Sequence, residues 1–452
     1  MQNWMPSLTG ETGPKYAAIA DAIGAAIRTG ELRPGERLPP QRALAERLGV
    51  DLTTVTRAYG LARQAGLIEG AGKLGSFVRN DALPPVVGET TSEAGMNVPP
   101  QPAFALLPDA IRSGTAELLR AGRHSPILQY QPSAGNMLDR AAAAVALTAR
   151  GVPSTADEVA ITAGAQHALH ALLATAFTAG DTICCGMFIY AGMKALAQRL
   201  RLRLEPVASD AEGLLPDAIA DAFAKGARAV YLTATNDNPT TATMGNERRA
   251  AIVAAARAFG ATIIEDDAYG LLPSQPLRPI AALAPERAWH ISGTSKIISP
   301  VLRVAHLRVP EGARMADLAR DMHETSVMAP PLNAALVTLW LRTGAFGRLV
   351  AGVRTEAVAR QRIAARALAG LRFAAEPEGY HLWLELPAGG DAERLVAGVR
   401  PLGLSAVVGE AFAVTPGSGS GYVRLSMGGP IDHVRLERAL AHTASLARDP
   451  IQ

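Results

Sequence analysis

The chain is short of cysteine, of long apolar runs and of net charge, and each shortage excludes something. Its two cysteines, Cys184 and Cys185, are adjacent. Neighbouring cysteines rarely pair, so no disulfide framework is expected and a reducing cytoplasm suits the chain. The longest apolar stretches, such as residues 141–149, fall far short of the roughly 20 residues that a spanning helix needs. The first residues lack a basic segment followed by an apolar one, so no secretory leader is read and no membrane partner is expected. No internal repeat and no low-complexity tract is visible. His167 and His170 lie one helical turn apart, but without a third ligand they read as surface or packing residues, and no metal is expected.

The formal net charge is only +3. Its location is more informative than its size. Residues 1–80 hold 10 Lys and Arg against 7 Asp and Glu, and the remainder holds 34 of each. The whole basic excess therefore lies at the N-terminal end, where it would serve a nucleic-acid partner. With 452 residues, 48% of them hydrophobic, the chain is long enough for two or three domains of globular α/β type.

Organisation follows from periodicity. Tyr16, Ile19, Ile23 and Ile27 share one helical face over residues 15–28. A second short helix is expected at 41–48, broken by Gly49. A third runs from an Asp51 N-cap to about Gln64, with Val55, Ala58, Tyr59 and Ala62 inward. Two short strands with a glycine-rich tip follow over 66–78. Residues 81–103 are polar and carry five prolines, which reads as a linker. Beyond it, apolar strands at 158–162, 229–235 and 261–265 alternate with helices at 166–177 and 248–259. That alternation predicts a mostly parallel sheet covered by helices. A long helical stretch over 330–369 then leads to a smaller α+β part. The expected division is 1–80, 81–103 and 104–452.

Helix, helix, three-residue turn, helix and glycine-tipped hairpin make a winged helix-turn-helix. The run from Gly35 through Arg42 and Thr53-Thr54 to Arg57 and Tyr59 resembles the GntR family of bacterial regulators. In such a module the third helix enters the major groove of double-stranded DNA. The resemblance implies that Thr53 and Thr54 face base edges, that Arg42 and Arg57 hold phosphates, and that Lys73 sits at the wing tip. Leu52 stands where that family often has arginine, so the operator sequence is not predicted.

The larger part carries a second pattern. Lys296 lies in His290-Ile-Ser-Gly-Thr-Ser-Lys296, about thirty residues after Glu265-Asp266-Asp267-Ala-Tyr269. A lysine that forms a Schiff base and an acid that keeps a pyridine nitrogen protonated are the groups pyridoxal 5'-phosphate chemistry needs most. Gly164-Ala165-Gln166 opens a helix, whose backbone N–H groups suit a phosphate. From about 104 to 445 the motifs, in order, resemble fold-type I aminotransferases. That resemblance implies roles for each. Tyr130 reaches the cofactor phosphate of the other subunit of a homodimer. Tyr190 stacks on the ring. Asn238 and Tyr269 hydrogen-bond the ring hydroxyl, and Asp266 pairs with the ring nitrogen. Arg303 binds phosphate, and Arg424 clamps the α-carboxylate of an amino acid. Two positions depart from the family pattern. Thr241 stands where a glycine follows Asn-Pro-Thr. Gly293 stands where a hydroxyl residue precedes the lysine by three, so Ser292, Thr294 or Ser295 is left to supply it.

The combined architecture resembles the MocR-type regulators. It implies a cytoplasmic, DNA-binding transcriptional regulator whose aminotransferase-like domain senses a small amino compound through the cofactor on Lys296. The alternative is a working aminotransferase, converting an amino acid to a 2-oxo acid, with an accessory DNA-binding domain. A third reading, a DNA-binding module that has lost the cofactor, is disfavoured by intact Lys296 and Asp266.

Overall fold

The computed structural model describes residues 4–6, 15–28, 31–33, 35–64, 67–70, 75–79, 95–102, 106–120 and 126–448. The chain divides into two compact units, Met1–Thr91 and Ser92–Gln452.

The first unit holds α1 (Lys15–Arg28), α2 (Gln41–Leu48), α3 (Leu52–Gln64), β1 (Ile68–Gly70) and β2 (Ser76–Val78). The helical periodicity does what the pattern predicts. Ile19, Ile23 and Ile27 bury against Leu44, Val55, Ala58, Tyr59 and Ala62. Gly49 ends α2 with φ 59°, a left-handed conformation that favours glycine. The main-chain carbonyl of Asp51 accepts from Thr54 N and Val55 N and starts α3. Tyr59 Oη donates to Pro39 O at 2.7 Å, which ties α3 to the segment before α2. The wing strands pair antiparallel with Ile68 opposite Val78. Gly35 and Leu38 hydrogen-bond along β2 and extend it.

The second unit begins with α4 (Leu106–Leu119) and α5 (Met137–Ala149) and is built on a seven-stranded sheet. Its strands are β3 (Val159–Thr162), β4 (Thr182–Cys185), β5 (Arg203–Pro206), β8 (Ala229–Leu232), β9 (Thr262–Asp266), β10 (Ala288–Gly293) and β11 (Ala305–Arg308), with a small hairpin of β6 (Ser209–Asp210) and β7 (Gly213–Leu214) beside it. The order is β3-β11-β10-β9-β8-β4-β5. All pairings are parallel except those of β11, which runs antiparallel to both β10 and β3. The sheet is therefore mixed, with one reversed strand in a mostly parallel array. Every residue of β3 and of β8 is buried, as expected where helices cover both faces. The cover comprises α6 (Ala165–Ala176), α7 (Ala191–Arg199), α8 (Pro216–Ala224), α9 (Asn246–Phe259) and α10 (Met315–Ser326).

The long helical stretch expected over 330–369 consists of two helices, α11 (Pro331–Thr343) and α12 (Ala345–Ala367), bent by 92°. Gly344 sits at the break with φ 72°. Apolar periodicity continues through the bend, so the pattern alone does not reveal it. Among the described residues no single helix is long and apolar enough to cross a membrane. The C-terminal part is a four-stranded antiparallel sheet of β12 (Arg372–Ala375), β13 (His381–Glu385), β14 (Ser405–Val408) and β15 (Tyr422–Ser426), in the order β12-β13-β15-β14. The helices α13 (Ala392–Val399) and α14 (His433–Arg448) share its apolar core.

The segment read as a linker ends sooner than its proline content suggests. Residues 95–102 are built into the second unit as a strap. Pro100 bridges to Gly429, and Gly429 N donates to Pro99 O. Asn97 is only 2% exposed. A Cβ at Gly428 would lie 1.6 Å from the Val98 carbonyl oxygen, so only glycine allows the strap to lie where it does. Gly428→Ala is therefore expected to push the strap away and destabilise the second unit by about 1–3 kcal/mol, the usual cost of overpacking. Urea unfolding of the full chain checks this, and an unchanged midpoint would mean that the strap is not held there.

Candidate functional site

The groups singled out in the sequence converge at the carboxyl ends of the parallel strands, where open α/β sheets place their ligands. Asp266 ends β9, and Lys296 follows β10 by three residues. Gly164 lies between β3 and α6, and Asn238 lies in the loop after β8. That loop is pinned from beneath by Arg249, a fully buried cation. Its guanidinium donates to Met244 O and Ala234 O at 2.8 Å, to Thr235 Oγ1 at 2.8 Å and to Arg278 O at 2.9 Å. Carbonyls at both ends of the loop thus fix Asn238 from one point. Thr241, at the position where the family's pattern has glycine, adopts φ 66° and is buried. The left-handed turn is retained with a strained threonine in it.

Asp266 is buried, and its Oδ2 accepts from Tyr231 Oη at 3.0 Å. Its Oδ1 has no protein partner. Burial raises the carboxyl to about 6, the Tyr231 hydrogen bond opposing. Its neighbour Asp267 behaves differently. It pairs with Arg150 and accepts from His290 Nε2; burial would raise it, but the Arg150 charge and the hydrogen bonds hold it well below the usual carboxylate range. One acid is fully paired and the other keeps a buried oxygen without a protein partner.

Lys296 Nζ donates to the main-chain oxygen of Asn97 at 2.6 Å, and Tyr380 Oη donates to Lys296 O at 2.8 Å. Burial, with Arg424 close by, pushes the amine down to about 8, while Asp266 opposes. Arg424 is 2% exposed and lies over the Phe412 ring. It donates to Asn238 Oδ1 at 3.1 Å and to Gly95 O at 2.5 Å, and its Nε has no partner. No described carboxylate forms an ion pair with it. Tyr269 Oη accepts from Asn97 Nδ2 at 2.8 Å.

Around the turn at Gly164, φ is 85° and a Cβ would come within 3.0 Å of the Arg303 guanidinium carbon. Glycine there lets Arg303 approach, and Arg303 in turn donates to Ala163 O. Of the three hydroxyls left to stand in for the one lost at Gly293, Thr294 is committed to Val304 O, whereas Ser295 Oγ is buried and unpartnered. Gln166 donates to Gly192 O and leaves its buried Oε1 unpartnered. Tyr190 lies near both Asp266 and Arg303, whose charges act on its hydroxyl after burial, the main influence. Tyr130 stands apart at 85% exposed. His167 accepts from Ala163 N, and His170 faces Asp321.

Sequence reasoning missed Asn97, Tyr231, Tyr380 and His381. Asn97 falls within the expected linker. Tyr231 reads as one more core residue in an apolar strand.

Buried polar atoms without partners are uncommon because each costs free energy. Here Asp266 Oδ1, Ser295 Oγ, Gln166 Oε1 and Arg424 Nε are such atoms among the residues singled out in the sequence, and the charges of Asp266 and Arg424 act on the Lys296 amine. An acceptor for a ring nitrogen, a hydroxyl and helix terminus for a phosphate, and a guanidinium for a carboxylate fit pyridoxal phosphate with an amino acid.

In the first unit, Arg42, Thr53 and Arg57 are exposed and Thr54 is half-buried at the start of α3. Arg57 stacks on the Tyr16 ring at 4.0 Å, which fixes its guanidinium near the helix. Thr56 Oγ1 donates to Gln41 Oε1. Lys73, at the expected wing tip, lies outside the described residues.

Comparison with known proteins agrees with both halves. Residues 15–78 match the bacterial regulatory proteins of the gntR family, and residues 95–442 match aminotransferase class I and II. The chain belongs to the MocR-type GntR regulators. It is 30% identical to the vitamin B6 salvage pathway transcriptional repressor PtsJ of Salmonella typhimurium, over 88% of this chain and 91% of that one. It is 27% identical to the HTH-type transcriptional regulator YdeF of Bacillus subtilis, over 97% of this chain and 95% of that one. The α-aminoadipate aminotransferase LysN of Thermus thermophilus shares the fold, with a TM-score of 0.70 at 24% identity over 78% of this chain and 91% of that one. As a MocR-type protein the chain is a DNA-binding transcriptional regulator with an aminotransferase-like domain.

The lowered Lys296 amine gives a testable pH dependence. Only the neutral amine attacks an aldehyde. Covalent capture of pyridoxal phosphate should accelerate about tenfold per pH unit below 8 and level off above it. Following the visible band after mixing checks this. A rate still climbing steeply well above pH 9 would mean an ordinary, solvated lysine.

Proposed function

We propose that this regulator binds pyridoxal 5'-phosphate at Lys296 and responds to a small amino compound that reaches the same site. The observation that carries the reading is that Asp266 and Arg424, each with a buried atom left without a partner, act on the Lys296 amine. When bound, the cofactor supplies an aldehyde that condenses with amines and a ring that withdraws electrons. The residues of the chain hold it and present Arg424 to a second molecule. Asp266 Oδ1 accepts from the ring nitrogen in a charge-assisted hydrogen bond. Asn238 and Tyr269 hold the ring oxygen, and Tyr190 covers one ring face. The amides of Gly164, Ala165 and Gln166 take the phosphate with Ser295 and Arg303. Arg424, already buried without a carboxylate partner, takes the α-carboxylate of the amino compound.

A homodimer supports this arrangement. Leu138, Ala141, Val145 and Ala149 form one stripe along α5, and Leu138 and Val145 are exposed along with Leu128, Tyr130 and Met137. Such a face suits a second copy of the chain. Tyr130 of the partner subunit would complete the phosphate site. In the first unit, α3 presents Thr53 and Thr54 to base edges of an operator, and Arg42, Arg57 and Lys73 take phosphates. A protein that acts on operator DNA works in the bacterial cytoplasm.

The alternative, a working aminotransferase, predicts turnover. Purified protein should bind pyridoxal phosphate, and borohydride followed by peptide mapping should place the label on Lys296. With mixtures of amino acids and 2-oxo acids, the regulator reading expects spectral changes with little or no product. Label on another lysine overturns the cofactor assignment. Sustained transamination overturns the reading of the second unit as a sensor without turnover and makes it a working enzyme.

A further inference from the structure

A chain of hydrogen bonds running from Asp237 to Tyr269 fixes the direction of one proton. His381 is fully buried, and its Nε2 lies 3.0 Å from the Asp237 carbonyl oxygen. A carbonyl only accepts, so Nε2 carries the ring hydrogen. Burial pushes this imidazole down to about 3, so it is neutral and Nδ1 is a bare acceptor. Asn97 Nδ2 lies 3.3 Å from Nδ1 and therefore donates to it. The second Nδ2 hydrogen goes to Tyr269 Oη at 2.8 Å, and Asn97 Oδ1 accepts from Ser426 Oγ at 2.5 Å. A flipped amide would set Asn97 Oδ1 against the bare His381 Nδ1, two acceptors with no hydrogen between them, so the imidazole fixes the amide and the hydroxyls of Tyr269 and Ser426 follow it. Tyr269 is thus obliged to accept from Asn97, and its own hydrogen is turned away from Asn97.

We propose that Asn97 is a positioning residue that holds Tyr269 as a hydrogen-bond donor toward the cofactor's ring oxygen. The inference rests on the cofactor reading above. It assigns a site function to a residue of the strap that joins this unit to the DNA-binding one along the chain. The charged and titratable groups facing the pair are Arg424, Asp266, Lys296, Tyr190, Tyr380 and His381.

Asn97→Asp tests the proposal with little change of shape. A carboxylate at 97 offers only acceptors, so Tyr269 turns its hydrogen toward it and the ring oxygen loses a donor. A ring oxygen without that donor carries negative charge less readily. The midpoint of the pH-dependent change in the visible band should rise by about one unit, the scale of one hydrogen bond to a charged oxygen. The added charge alone would act in the same direction, so the substitution is repeated in a Tyr269→Phe background. There the further shift should shrink to a small fraction of a unit. Ser426→Ala, which frees Asn97 Oδ1, is the second variant and should raise the midpoint by a smaller amount. A wild-type protein with no visible band overturns the cofactor reading itself. A band that titrates alike in wild type, Asn97→Asp and Ser426→Ala overturns this inference alone. A full shift persisting in the Tyr269→Phe background shows charge rather than proton direction, and overturns it too.

Discussion

Arg424 is a buried cation that no described carboxylate pairs with, and the groups at the carboxyl ends of the parallel strands must accommodate it. A buried charge is expensive unless it is paired or well hydrogen-bonded. Arg249 shows how the same chain satisfies a purely structural guanidinium, with four oxygen acceptors. Arg424 is given only two oxygens and an aromatic face, and its Nε is left open. Beside it, burial drives Lys296 and Asp266 toward their neutral forms. Three ionisable groups kept short of partners fit the proposed ligand, a molecule that brings an anion, an aldehyde and a ring nitrogen. The carboxyl edge of the parallel strands, the pinned loop around Asn238 and the turn at Gly164 are the means of holding those groups in place.

The strap gives these groups their connection to the rest of the chain. The carbonyls of Gly95 and Asn97 hold Arg424 and Lys296, and these residues follow directly the chain that comes from the DNA-binding unit. A carboxylate arriving at Arg424 competes with Gly95. In the proposed function a cofactor aldehyde at Lys296 would compete with Asn97 O for the amine. Coupling requires a ligand to favour one of two states of an element that both sites share. The strap touches Arg424 and Lys296 within the second unit and follows the first unit in the sequence.

Much of this arrangement is legible in the order of the amino acids. Lys296, Asp266, Tyr269, Asn238, Arg303 and Arg424 can be named because the chemistry restricts residue type and the family restricts order. The helices of the first unit are legible because their apolar faces repeat at helical spacing and Gly49 marks a break. The features that escape a sequence reading depend on contacts far apart in the chain or on conformation. Asn97 meets Tyr269 across 172 residues, and its surroundings of Pro99, Pro100 and Pro102 have the composition of a linker. Tyr231 sits in an apolar strand, where nothing marks its hydroxyl as the partner of Asp266. The bend at Gly344 leaves the apolar pattern uninterrupted. Thr241 reads as a lost glycine, yet the backbone keeps the left-handed turn.

The most direct test of the account is reciprocal binding in the full-length protein. A duplex selected from a random pool serves as the DNA, at one fixed salt concentration because phosphate contacts are salt-dependent. Its affinity is measured with and without pyridoxal phosphate, and the cofactor's affinity with and without duplex. A site coupled through the strap predicts that both affinities change by the same factor, about fivefold or more. Affinities that are identical in all four measurements would contradict it.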